Sequence, residues 1–454
     1  MMRILRWTLF LLCAPFLLQA QQTQPAADTV PQPGSVWNLK QCIDYALANS
    51  LQVERSGYNV ENSKLDHTQA RGAMLPQING SATYDFRWGR NINPADNEYT
   101  TSEQRTLTPT LSGSVPLFNG LRLQNQMKQY SRSYEAANYD LQKTKNDVVL
   151  NVASLYITVV FDKEQLENAK LQLASSQQQY ERTKKQVAAG ALPRSNELNL
   201  DAQVATNEVN VITRENNLNL SLLRLKQALQ LPAGAALDVE VPQIDVEDLI
   251  LEQSRDQIYD MARLTMPEVK SADLKVESSY FAVRATRGNL LPRLSMGGSY
   301  GTVYSSEYDK ALGLGYVDQL RNNRGRSLGF TLSIPILNGL QSRVAWQRSK
   351  VNQKLAEVDA KETSNTLRQS VETAYNDAVA ASKTYNSSLR QVQARDEAFR
   401  MTKQRFEAGA TNYVEYQVAE NDLFQAKSDL VRAKYDFIFK KKVLDFYQGK
   451  PLAY

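Results

Sequence analysis

His67 is the only histidine in the 454 residues, and no cluster of cysteines or carboxylates stands near it in the sequence. A histidine metal site or a Ser/His/Asp triad therefore has little to build on, and His67 reads as a polar helix residue. Asp245, Glu247 and Asp248 crowd together within LPAGAALDVEVPQIDVEDLILEQ (231–253). General acid–base chemistry needs an apolar pocket or a rigid glycine frame to drive two proton affinities apart, and this segment offers neither. It reads as a charged bridge. The 22 tyrosines are spread along the chain, which suits helix seams and interfaces better than base stacking. There is no phosphate-binding loop. The expectation is no catalytic residue, no cofactor, no metal and no nucleic acid.

Cysteine and charge narrow the class further. Residues 1–20 place Arg3 and Arg6 before the apolar run WTLFLLCAPFLL, the layout of a cleavable secretory signal. Cys13 follows Leu12, where a lipoprotein signal needs a small residue, so a lipid anchor is not expected. Removal of the signal leaves Cys42 as the sole cysteine, expected to be a small buried apolar residue with no disulfide partner. The net charge of +5 falls to +3 once Arg3 and Arg6 are lost (51 basic against 48 acidic residues), too small an excess to argue for nucleic acid. No segment after the leader has the roughly 18 consecutive apolar residues of a membrane helix. A membrane could be crossed only with strands.

The elements that would do so are written twice. SVPLFNG (114–120) returns as SIPILNG (333–339), with Pro116 and Pro335 lying 219 positions apart (335 less 116). AAGA around Gly190 returns as EAGA around Gly409 at the same offset, and RGAMLPQINGSATY from Arg71 returns as RGNLLPRLSMGGSY from Arg287 at 216. Three matches in one order imply duplication. A flexible leader (21–36) then precedes a first repeat (37–230), the bridge (231–253), a second repeat (254–448) and a short tail (449–454).

Each repeat reads as a helix, two strands, a very long helix, a sharp turn and a returning helix. Over 77–88 Ile78, Ala82, Tyr84, Phe86 and Trp88 fall on one face, and Gln77, Asn79, Ser81, Thr83, Asp85 and Arg87 on the other. The same alternation recurs over about 106–117, 293–304 and 327–337. All four approach the length that crosses a bilayer at a tilt. Two soluble hairpins would be the reading of a single such strand; four favour lipid. Polar stretches at 89–104 and about 305–325 read as outward loops. Pro116 and Pro335 are expected to end the ladder, and the Asn-Gly pairs to turn the chain into helix.

After Gly120 no proline interrupts until Pro193, and a stripe with 3,4 spacing runs from Tyr134 through Val148, Val152 and Val159 to Val187. About 70 helical residues at 1.5 Å each give roughly 105 Å. The counterpart after Gly339 carries Val371, Ala374, Ala378 and Ala381, a small-residue seam that permits close helix approach. The expected fold class is a membrane β-barrel plus an all-α coiled-coil barrel, each chain duplicated with four strands and long helical hairpins. Four strands cannot close a barrel, so it closes only as a trimer of twelve.

With WNLKQCIDYALANS at the start, the junctions at Pro76 and Pro292, the strand ends PLFNG and PILNG and the two hairpin tips, the chain resembles the TolC-type outer-membrane efflux channels from Trp37 to about Gln448. That resemblance implies a non-catalytic homotrimer in outer-membrane lipid, its helical barrel extending into the periplasm. There it would join an inner-membrane efflux or secretion transporter through a periplasmic adaptor protein. It also implies that the tips, Ala189, Gly190 and Ala191 and Ala408, Gly409 and Ala410, meet the adaptor. The same glycines read equally as helix terminators, and both readings can hold. In the family two acids, six and nine positions after the second tip glycine, line the closed constriction. Here Glu415 fills the first place and Val418 the second, and Thr411 stands where a bracing arginine is found. Glu415 reads either as a lumen-facing acid or as a solvated one. The alternative function is a secreted periplasmic coiled-coil scaffold without channel activity.

Overall fold

The computed structural model of the chain describes residues 36–92, 97–232, 234–242 and 253–450. The expected signal, Cys13, the leader up to residue 35, the acids Asp245, Glu247 and Asp248 and the last four residues lie outside the described residues.

The first half of the chain builds β1 (Val36–Trp37), α1 (Leu39–Asn49), α2 (Leu51–Gly72), β2 (Gln77–Ile92), β3 (Tyr99–Phe118), α3 (Arg122–Ala188) and α4 (Arg194–Ala228). After β4 (Asp238–Val239) the second half builds α5 (Arg255–Thr265), α6 (Pro267–Arg287), β5 (Arg293–Gly301), β6 (Tyr304–Ser305), α7 (Ser306–Leu312), α8 (Tyr316–Asn322), β7 (Gly325–Ser333), α9 (Gln341–Glu407) and α10 (Tyr413–Tyr447). Lengths repeat as well as order: α3 and α9 both have 67 residues, and α4 and α10 both have 35. Even the starts match. Asn38 with Gln41 opens α1 and Ser254 with Gln257 opens α5, each a reciprocal capping box that satisfies two otherwise orphaned backbone donors.

Four strands form one antiparallel sheet in the order β2-β3-β5-β7, with β6 adding a short pairing to β3. β2 and β3 are longer than expected and pair without a break from Gln77↔Ser114 to Ile92↔Tyr99. The expected aromatic face of β2 is present: the Tyr84 and Phe86 rings lie 4.9 Å apart and the Phe86 and Trp88 rings 5.9 Å apart, all exposed. In the second half β5 and β7 are shorter than expected, leaving Ile334 and Ile336 outside the ladder. The stretch after β5 is also more than a polar loop. It folds into α7 and α8 around Gln319, whose amide donates to the Ser305 and Leu314 carbonyls at 3.0 and 2.7 Å and accepts from the Ser305 amide at 2.9 Å.

The expected role of proline needs correction. Pro116 lies inside β3, opposite Ser295, with a bulge before Phe118, while Pro335 falls beyond the end of β7. The carbonyl of Pro109 faces β5, accepting from Thr302 at 3.1 Å, so Pro116, seven residues on, faces the opposite side. There the β2 ladder has already stopped at Ser114, and a missing N–H leaves nothing unpaired.

The strand-to-helix turn depends on more than Asn-Gly. Gly120 and Leu121 are both left-handed (φ 63° and 61°), as are Gly339 and Leu340 (φ 60° and 64°). The Asn119 side chain accepts the Leu123 amide at 3.2 Å, capping α3. Gly120 also packs directly on Gly288, where a Cβ on Gly120 would lie 2.6 Å from the Gly288 carbonyl oxygen.

Two apolar cores sit at mid-length of the long helices. The first gathers Trp37, Cys42, Ala46, Val148, Val152, Val159 and Leu225, under the parallel β1·β4 pair. The second gathers Ile258, Ala262, Leu367, Val371, Ala378 and Leu444, six of those positions shifted by 216 or 219. Cys42 is fully buried and burial pushes its thiol up to about 12, so it carries almost no thiolate at neutral pH.

Candidate functional site

The hairpin tips end the long helices in the same way. At the end of α3 the Gly190 amide donates to the Val187 carbonyl at 2.9 Å and the Ala191 amide to Gln186 at 2.9 Å. At the end of α9 Gly409 donates to Phe406 at 3.0 Å and Ala410 to Arg405 at 2.8 Å. This is the Schellman arrangement, which needs a left-handed residue at the position both glycines occupy (φ 74° and 73°). All of Ala189, Gly190, Ala191, Ala408, Gly409 and Ala410 are exposed, and an added Cβ on either glycine meets nothing within 4 Å. Each tip thus offers bare backbone and methyl groups, a surface that another chain can approach closely.

Just beyond the second tip, Glu415 and Val418 share one exposed face of α10. The Glu415 amide is capped by the Asn412 side chain at 2.9 Å. Its carboxylate accepts from the Thr411 hydroxyl and lies 3.9 Å from the Arg405 guanidinium. Thr411 therefore touches this acid directly, and Arg405 supplies the positive charge from α9.

One acid in this region was not singled out in the sequence. Glu420 lies one and a half turns further along α10, 7% exposed, and accepts from the Ser175 hydroxyl of α3 at 2.6 Å. Burial raises its carboxyl above the usual range, opposed by the Ser175 hydrogen bond and by Lys403. Around it Tyr413, Tyr416, Phe399 and Phe406 stack with ring centroids 5.0–6.4 Å apart and fasten α9 to α10. The spacing Tyr413, Tyr416, Glu420 is one helix face, the only signal that could have found the acid. The folded chain holds the Glu420 proton more tightly than the unfolded chain does. Stability is therefore gained as pH falls through the raised value towards 4.5, and above it the fold carries the cost of a buried charge. Glu420→Gln is expected to raise the melting temperature at pH 8, with the advantage shrinking to nothing near pH 4.5. Thermal melts across that range check it, and an equal effect at both ends would refute the burial account.

Further up, α3 also meets α10 through amides. Gln165, 3% exposed, donates to the Ser428 carbonyl at 2.9 Å and accepts from its hydroxyl at 2.6 Å. His67 lies on α2, and among the described residues no group of His, Cys, Asp and Glu is placed to hold a metal. No helix among them is long and apolar enough to cross a membrane.

The sequence pattern of the family described as "Outer membrane efflux protein" matches residues 42–230 and 258–444. The chain belongs to that family.

As a member of the outer membrane efflux proteins it is an efflux channel protein of the outer membrane, with its helical part extending into the periplasm. It is 24% identical over 416 residues to outer membrane protein TolC of Escherichia coli K12, covering 89% of this chain and 80% of that one. It is 20% identical over 421 residues to the alkaline protease secretion protein AprF of Pseudomonas aeruginosa, covering 89% and 82%. In fold it is similar to the CmeC outer membrane channel of Campylobacter jejuni, with a TM-score of 0.78 at 16% identity over 91% of this chain and 87% of that one.

Proposed function

We propose that this efflux family member closes as a homotrimer, with twelve strands forming a barrel in outer-membrane lipid and the helical hairpins a tube below it. The tube is the passive exit duct of a tripartite efflux or secretion system. A periplasmic adaptor grips the tips around Gly190 and Gly409, and an inner-membrane transporter delivers the cargo. Neither catalysis nor a cofactor takes part. The gate is formed at Glu415 and Val418, where three copies of Glu415 make a ring that favours cations.

The observation that carries this reading is the open sheet. β2 and β7 each present an unpaired edge, and the large side chains of the sheet, Ile78, Trp88, Leu328, Phe330 and Leu332 among them, stand exposed. In lipid each unpaired backbone group would cost several kcal/mol, so an open four-stranded sheet is not a stable membrane structure. In water the same apolar face would aggregate. Only closure with further copies removes both costs.

The protein is expected to fractionate with the outer membrane, to run as a trimer in mild detergent and to conduct ions in planar bilayers. Recovery as a stable water-soluble monomer without conductance would overturn the channel reading in favour of a periplasmic scaffold.

A further inference from the structure

Two arginines come together without an acid where the sheet gives way to the helices. Arg122 is the first residue of α3 and Arg293 the first of β5. The Arg122 side chain starts against Gly288, where an added Cβ would lie 3.0 Å from the Arg122 Cβ. The next residue, Asn289, accepts from the Arg293 guanidinium at 3.2 Å. Arg122 donates through one terminal nitrogen to Gln126 at 3.2 Å, while its Nε is buried with no hydrogen-bond partner among the described residues. Neither arginine has an ion-pair partner among them.

Burial and the charge of Arg293 hold the Arg122 guanidinium below its ordinary value, as like charges brought close must. It stays protonated at neutral pH all the same. The positive end of α3 adds to the same field, since the first turn of that helix holds no acid. On its own this arrangement costs free energy, because a buried donor goes unsatisfied and two cations repel.

The duplication shows that the fold does not require it. At offset 219 the counterpart of Arg122 is Gln341, and at 216 the counterpart of Arg293 is Gln77. Gln341 opens α9 after the same left-handed pair, Gly339 and Leu340, and Gln77 opens β2. Two neutral amides serve the second copy of the plan. The paired guanidiniums answer another need, and an oxyanion held between them removes their cost.

We propose that Arg122 and Arg293 bind one phosphate group. Planar guanidiniums present paired N–H donors that match the oxygens of phosphate, and the orphaned Nε is one donor of such a pair. The helical part extends into the periplasm, so the site lies at the periplasmic end of the strands. With the strands crossing lipid, as the barrel reading has it, that level is the membrane surface. There an anionic phospholipid headgroup brings the phosphate, and a soluble phosphate brings the same chemistry from the periplasm.

The test uses the whole protein in a non-ionic detergent. Its melting temperature is followed against inorganic phosphate and, separately, against a short-chain phosphatidylglycerol, each compared with sodium chloride at equal ionic strength. Both are expected to raise it in the parent beyond the salt control. Arg122→Gln and Arg293→Gln, which place there the residue of the duplicated half, are each expected to raise the half-saturating concentration about tenfold or more, the worth of one charged hydrogen bond. Arg122→Lys keeps the charge and loses Nε, and is expected to bind between the parent and Arg122→Gln. Without phosphate the double glutamine variant is expected to melt above the parent, because the repulsion is gone; a pair that serves packing alone would melt lower. Saturation by the phospholipid at the lower concentration assigns the site to lipid, and the reverse order assigns it to a soluble anion. Equal stabilisation of the parent and the double variant, or none in either, would overturn the site. Native gels of the same samples read the oligomer, and monomers that still bind phosphate would leave the site standing and overturn the trimer.

Discussion

Replacing Gly120 or Gly288 with alanine is expected to disrupt the folded chain, whereas the same change at Gly72 is expected to leave the chain folded and abolish its assembly. A Cβ on Gly120 would lie 2.6 Å from the Gly288 carbonyl oxygen and 2.8 Å from the Leu291 Cβ. A Cβ on Gly288 would lie 2.7 Å from the Gly120 oxygen. Neither obstacle is the flexible end of a side chain, so the backbones must part. Overpacking of this kind costs about 1–3 kcal/mol, and at Gly120 the left-handed backbone adds about 1–2 kcal/mol. Gly72 is the last residue of α2, and an added Cβ there meets nothing within 4 Å. Alanine should improve the isolated helix by about 0.5–1 kcal/mol. Gly72 is the duplicated counterpart of Gly288 at the offset of 216, and Gly339 that of Gly120 at 219; if Gly339 of another copy packs on Gly72 as Gly120 packs on Gly288, the same methyl group forces two subunits apart. Circular dichroism with native-gel analysis separates the outcomes. A Gly72→Ala protein that is fully trimeric would sink the junction.

Gly190→Val and Gly409→Val are expected to leave trimers intact and to cut export sharply. The strained turn costs about 1–2 kcal/mol for an ordinary side chain, and more for a β-branched one, but the tip is exposed and lies outside both mid-length cores. Gly409→Asn separates strain from occupancy, because asparagine tolerates the left-handed backbone and still covers the tip. Export by the asparagine variant is expected to fall as well, with weaker crosslinking to the adaptor. Unchanged crosslinking and export in all three variants would remove the tips from the docking surface.

Much of the fold is visible in local pattern. The 3,4-spaced stripe gave α3 and α9 to within a few residues, and period-two alternation gave β2 and β3, because side-chain direction along a helix or strand follows from backbone geometry alone. The family resemblance drawn from PLFNG, PILNG and the tips agrees with the family match over both halves. Two kinds of feature escaped. Leu121 and Leu340 adopt left-handed backbone against their own preference, which only the junction around them can enforce. Glu420 and Gln165 look like solvated helix residues, and their burial depends on which neighbour arrives from α3 or α10.

The sequence by itself determined the duplication, the long helices, the four main strands and the glycine at each tip, since each is set by residue periodicity or by one residue's backbone freedom. Only the tertiary structure decided that Pro116 stays within a ladder, that Gly120 rests on Gly288 and that a carboxyl group is shut away beside Tyr416. Those outcomes turn on which distant surfaces touch, and packing between segments more than a hundred residues apart is written in no local stretch of the chain.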